Sequence, residues 1–172
     1  MERRNLSFCR MEPRSDVSKR HGIFCQLVLQ TIDKKLEKER ITSYLEQINY
    51  GNKRITGDLS SYWMESALKI SPVEQVELLI DLYNNNFDFS IENITAVKNA
   101  LCISSSDTYA LYGKTGTGRV NEKDISGWFI GYVETTDTTY FFATNIRANT
   151  NATGSHAAEI TFDIFKNLNI IT

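Results

Sequence analysis

Three short strings carry the residues of this sequence that could do chemistry. Lys114-Thr115-Gly116-Thr117-Gly118 sets an ammonium beside a hydroxyl, a pair able to grip a carboxylate. The glycines after them let a substrate backbone lie against a strand edge, and such an edge offers a backbone N–H to a developing oxyanion. Taken alone the string is weak, because a Lys-Thr-Gly turn after a strand is common. Tyr50-Gly51-Asn52 is the second string, and by itself it reads as a turn in which Gly and Asn supply positive φ. The third runs from Tyr62 and Trp63 through Met64 to Pro72 and reads as a core helix entering a capped one. His21 and His156 are too few for a metal site, and Cys9, Cys25 and Cys102 have neither zinc spacing nor the even count of a disulfide framework. No metal is expected.

These strings need elements to hold them. From Ile23 to Ile48 apolar residues recur at helical spacing, predicting a helix over 23–38 and a second over 40–48. Residues 49–62 are polar and Gly-containing, hence loop, and Trp63–Ile70 is a short amphipathic piece. Ser71-Pro72-Val73-Glu74 is a helix start, with the helix ending at Asn84–Asn86. Ser90 caps another through Ala100. Strands are expected at Tyr109–Lys114, Ile125–Thr135 and Thr139–Arg147, the last two joined in a hairpin at Asp137-Thr138. Ala157–Leu168 closes the chain as a helix with Ile160, Ile164, Phe165 and Leu168 on one face. Helices, then a strand meander, then a helix on the sheet make an α+β fold.

The 172 residues suit one domain, and 41% apolar with 23% charged residues is ordinary globular usage. A net charge of −2 gives no reason to expect nucleic acid or an anionic membrane as partner. No window approaches the length of a membrane span, and the charged N-terminus is no secretory leader, so the chain as written is expected in the cytoplasm.

Taken in order, with Ser126-Gly127-Trp128 after the Lys-Thr-Gly strand, the strings resemble the C-terminal part of the class D (oxacillinase-type) serine β-lactamases. They are equally similar to the penicillin-sensing domain of the β-lactamase operon's membrane signal transducer. The resemblance spans about Thr31 to Ile171 and implies an incomplete β-lactamase/penicillin-binding transpeptidase-like fold. It implies a β-lactam as small-molecule partner, and a membrane only for a sensor parent. Tyr50, Gly51 and Asn52 match the loop at the edge of the family's active site. Trp63 matches the tryptophan that holds the catalytic lysine in its carboxylated state, and Met64 the apolar neighbour that shields it. Lys114, Thr115 and Gly116 match the strand that receives the substrate carboxylate, the backbone N–H of Thr117 an oxyanion donor, and Gly127 and Trp128 the next strand. Many class D enzymes place a carboxylate-binding arginine where this chain has Ala157, leaving Arg147 or His156 as substitutes.

That family attacks the lactam with a serine in Ser-x-x-Lys at a helix start, the lysine taking the serine proton. One such string occurs here, Ser66-Ala67-Leu68-Lys69. It follows Tyr50-Gly51-Asn52, whereas the family's nucleophile lies far upstream, so it reads as a decoy. No cofactor is implied beyond the CO2 of lysine carboxylation, and that lysine has no counterpart. Residues 1–30 read as an aberrant segment ahead of a truncated domain over 31–172. Met1-Glu2 and Met11-Glu12 must each be encoded ATG-GA, which one base later reads as tryptophan. The shifted reading of residues 1–29 resembles the family's stretch before and through its Ser-x-Val element, so a frame change near residues 25–31 is expected. VSKRHGI does not supply Ser-x-Val in place, and Ser15-Asp16-Val17 sits early.

Three readings follow from the sequence. The first is a class D family protein with substrate-side groups but no nucleophile, catalytically incomplete. The second is a penicillin-binding sensor remnant, and the third a non-functional fragment. Each implies an unpaired strand edge and poor solubility. Cys102 is expected as a buried thiol.

Overall fold

The computed structural model describes residues 30–59, 62 and 67–171. They form two compact units that meet in sequence at Ser71/Pro72.

In the first unit, helical residues 30–35 stop at Leu36, and helix α1 (Lys38–Gln47) follows. The apolar repeat read as reaching 38 in one helix is thus broken before Lys38. Ile41 and Leu45, four apart on α1, bury against Ile55, with Leu36, Tyr50, Leu59, Tyr62 and Leu68 around them. Residues 67–70 are not helical. The amphipathic pattern over Trp63–Ile70 therefore does not make a helix there, because the main chain is bonded to the loop at Asn52 instead. Residues 63–66 lie outside the described residues.

The second unit opens with helix α2 (Pro72–Tyr83), where Pro72 takes the first position, whose N–H has no intrahelical partner in any case. Asn85, at φ 55°, lies in the turn over 84–87 that follows it. Ser90 caps helix α3 (Ile91–Leu101) by accepting from the Asn93 N–H at 3.3 Å. Four antiparallel strands follow in sheet order: β1 (Cys102–Ser105), β2 (Tyr109–Val120), β3 (Lys123–Thr135) and β4 (Thr139–Arg147). Strand β4 has the expected bounds. β1 has no alternating pattern of its own and forms by pairing with Ala110–Tyr112. β2 continues past Lys114 to Val120, because Asn121 (φ 48°) and Glu122 (φ 61°) turn it back onto β3. Helix α4 (Gly154–Asn167) starts three residues before Ala157, capped by Thr153, whose hydroxyl accepts from the His156 N–H at 3.1 Å.

Strand alternation sorts the sheet into two faces. Leu111, Phe129, Val133 and Phe142 pack under Ala157 and Phe165 of α4. Ala110, Tyr112 and Tyr132 turn to the other face, where Tyr83 of α2 stands edge-on to Tyr132 and Phe141. Lys98 of α3 reaches the same face, pairs with Glu134 at 2.7 Å and lies 5.0 Å from the Tyr112 ring. Cys102 is half-buried and disulfide-bonded, which corrects its reading as a buried thiol.

Candidate functional site

The Lys-Thr-Gly string lies inside β2, not at its end. β1 pairs with β2 only through Ala110–Tyr112, so beyond Gly113 one edge of β2 meets no strand among the described residues. The other edge pairs with β3 throughout, Lys114 opposite Ile130, Gly116 opposite Trp128 and Thr117 opposite Gly127. The Tyr112 carbonyl points at β3, crowding Gly131, so even-numbered residues of β2 bond to β3. Thr115 and Thr117 therefore turn their N–H and C=O groups to the open edge. Lys114 follows them, its ammonium donating to the Thr115 carbonyl at 2.6 Å.

Alternation also corrects the expected grip. Lys114 and Thr115 do not stand side by side but on opposite faces. Lys114 shares its face with Gly116, Ile130 and Trp128, and both Lys114 and Gly116 are exposed. Thr115 and Thr117 lie on the α4 face. There the Thr117 hydroxyl accepts from the Gly154 N–H at 2.9 Å, and a Cβ on Gly154 would stand 2.9 Å from that of Thr115. The start of α4 thus fixes the stretch of β2 whose N–H groups face outward. A Cβ on Gly116 would meet nothing nearer than the Trp128 Cβ at 3.8 Å, so the fold does not need glycine there and its absence of side chain keeps the face open.

Asn145, missed in the sequence, and Arg147, read there only as a substitute for the family's arginine, support this strand pair. Asn145 on β4 donates from its amide to the Gly127 carbonyl at 3.1 Å and to the Ser126 hydroxyl at 3.3 Å. Arg147 donates to the Asn145 side-chain oxygen Oδ1 at 3.3 Å. An Asn amid the apolar run of β4 was the available signal, since Asn is depleted in strands. Ala157 is fully buried in the core, and its methyl group has no charge to offer a carboxylate. His156 is exposed at the start of α4.

The second string sits in the first unit. Gly51 has φ +42°, and a Cβ there would collide with the Lys69 carbonyl. Asn52 clips residues 67–69: its amide donates to the Ala67 carbonyl at 2.7 Å and its side-chain oxygen accepts from the Lys69 N–H at 3.0 Å. Its own N–H donates to the Lys69 carbonyl at 3.0 Å. Burial raises the pKa of Tyr50, and burial with the nearby Asp33 and Tyr50 pushes Tyr62 up to about 12. Trp63, Met64 and Ser66 lie outside the described residues, as do Ser15-Asp16-Val17 and the shifted reading over residues 1–29. Among the described residues no group of three His, Cys, Asp or Glu could hold a metal, and no helix is long and apolar enough to cross a membrane.

Comparison with known proteins places these features among relatives. The description "penicillin binding protein transpeptidase domain" matches residues 25–167. The methicillin resistance mecR1 protein of Staphylococcus aureus is 44% identical over 142 residues, which are 83% of this chain and 24% of that protein. The chain thus spans about a quarter of that relative's length. The C-terminal domain of the Bacillus licheniformis BlaR penicillin-receptor superposes with a TM-score of 0.82 at 35% identity, covering 99% of this chain and 72% of that one. A class D β-lactamase from Bacillus subtilis gives 0.80 at 32% identity, covering 91% and 63%.

Proposed function

Because the chain belongs to the penicillin-binding protein transpeptidase domain family, we propose that its second unit binds the β-lactam nucleus along the open edge of β2. The exposed Lys114 ammonium takes the carboxylate. The outward N–H groups of Thr115 and Thr117 are aimed to hold carbonyl oxygens, and Trp128 walls the face beside Gly116. The observation that carries this reading is the edge at Thr115–Thr117, unpaired among the described residues, with an exposed cation and an unobstructed glycine on its face. No bound cofactor or metal enters it.

The role is that of a receptor, in which occupancy rather than turnover is the output. The sequence offers one Ser-x-x-Lys string, and Lys69 lies in a non-helical segment whose backbone is clipped to Asn52. The helical face that lets a lysine deprotonate a serine three residues earlier is not available to it. The named relatives supporting the role are the resistance protein and the penicillin receptor. The class D enzyme of similar fold makes hydrolysis the competing reading.

The test is a fluorescent penicillin with the full chain. Reversible, saturable binding and no covalent band on a denaturing gel are expected. A labelled Ser66, or rapid saturable breakdown of nitrocefin, refutes the receptor reading.

A further inference from the structure

Residues 91–105 hold to the rest of the second unit by few ties. Helix α3 buries none of its residues, while α4 buries Gly154, Ala157, Thr161 and Phe165. Ile94, Lys98 and Leu101, which share one helix face, are the half-buried positions of α3, and Leu101 packs beside Ala110, Tyr112 and Tyr132. Strand β1 adds a short pairing with Ala110–Tyr112 that is irregular between Cys102 and Ser104. Closed turns bound the segment. Ahead of it, the Asn85 amide donates to the Phe89 carbonyl and its side-chain oxygen accepts from the Phe89 N–H, both at 2.9 Å. After it, the Ser106 N–H donates to the Tyr109 carbonyl at 2.8 Å. A segment with few buried contacts, set between two fixed turns, opens by itself at a free energy below that of global unfolding.

Lys98 latches this segment to the sheet. Its ammonium donates to Glu134 Oε1 at 2.7 Å and lies over the Tyr112 ring. Glu134 is buried, and a buried carboxylate that loses its donor is costly. Here the Tyr83 hydroxyl of α2 donates to the same oxygen at 3.0 Å, so the carboxylate keeps a partner when Lys98 leaves. The Lys98 side chain is already 31% exposed, so its charge regains water early in the movement.

The segment also lies on the edge of β2 that Thr115 and Thr117 face. β1 runs antiparallel with Cys102 opposite Tyr112, so the chain leads from Cys102 back into Leu101 in the direction of Thr115. The end of α3 therefore borders the stretch assigned to the β-lactam. Cys102 is disulfide-bonded, which tethers this junction while the segment opens. We propose that α3 and β1 form a hinged end wall of the ligand edge, latched by Lys98 on Glu134, and that a β-lactam seated on the edge holds the wall shut. The coupling to the ligand rests on the binding reading above; the separate opening of the wall does not.

Amide exchange of the full chain, followed by mass spectrometry without and with benzylpenicillin, tests both parts. In the free chain, residues 91–105 exchange together and about tenfold or more faster than residues 129–133 of β3. Lys98→Met keeps the aliphatic stem on Tyr112 and removes the donor, so it speeds the whole segment about tenfold. Benzylpenicillin slows the segment in proportion to its concentration above saturation, because a ligand that binds only the closed form opposes opening by mass action. Exchange of 91–105 as slow as that of 129–133, or a Lys98→Met effect confined to the turn around Lys98, overturns the hinged wall. Saturable binding that leaves exchange of the segment unchanged overturns the coupling alone. A chain that binds no benzylpenicillin refutes the β-lactam reading and the coupling together, while its free-state exchange still decides the hinge.

Discussion

Gly116 and Gly127 sit on neighbouring strands and answer to different demands. A Cβ at Gly127 would collide with the Thr153 carbonyl where α4 begins, so Gly127→Ala should destabilise the fold by roughly 2 kcal/mol or more. Gly116→Ala should melt like the parent yet bind β-lactams more weakly, since its methyl group intrudes only on the open face. Thermal unfolding and ligand titration on both variants check the contrast. Lys114 is exposed, so Lys114→Ala should leave stability unchanged and cost about 1.5–3 kcal/mol of binding, the usual worth of a hydrogen bond to a charged group. A penicillin methyl ester should bind parent and variant alike. A full Lys114→Ala loss on the ester would mean the lysine is not the carboxylate partner. The Lys-Thr-Gly string stood out at this scale by its residue types, but its geometry was not legible. That Lys114 and Thr115 face opposite ways depends on β2 continuing past them, and the Asn121-Glu122 turn that extends it has no Gly to announce it.

Single side chains also hold whole elements in place. Asn52 accepts from the Lys69 and Arg54 N–H groups and donates to Ala67, so Asn52→Ala should cost about 1–3 kcal/mol in the first unit, read by denaturant unfolding. Its role explains Tyr50-Gly51-Asn52 as a turn that binds a second segment, a partner no local pattern could reveal. In the second unit, Lys98 joins α3 to the sheet. Burial opposes its charge, but the hydrogen bond and charge of Glu134 outweigh burial and raise its pKa. A raised folded-state pKa stabilises below the ordinary lysine value, about 10.4, and that contribution is lost as pH climbs through the raised value. The melting difference between parent and Glu134→Gln should therefore be largest near neutral pH and shrink in the alkaline range. A difference independent of pH would remove the ion pair from the account. Tyr132 is also raised, by burial first and then by Glu134, which adds to the alkaline loss.

For the molecule as a whole, the outer edge of β4, which no strand pairs among the described residues, and the exposed stripe Ile160, Ile164 and Leu168 predict a chain that associates readily. Ile164→Glu with Leu168→Glu should raise soluble yield and lower binding of an apolar-surface dye, measured at equal concentration. Unchanged dye binding would place the sticky surface elsewhere. Both units carry their own apolar cluster, one around Ile41 and Leu45, the other between the sheet and α4.

The α+β class, helix α2 from its Ser-Pro start, the Ser90 cap and strand β4 were all determined by the sequence alone. Each rests on neighbours a few residues apart, through caps, turns and alternation, and local forces suffice to specify such features. Strand β1, the non-helical path of residues 67–70, the Cys102 disulfide and the outward aim of the Thr115 and Thr117 amides were decided only by tertiary structure. Each depends on what lies opposite in space, and the energy of pairing with a distant segment outweighs the weak local preference of the residues themselves.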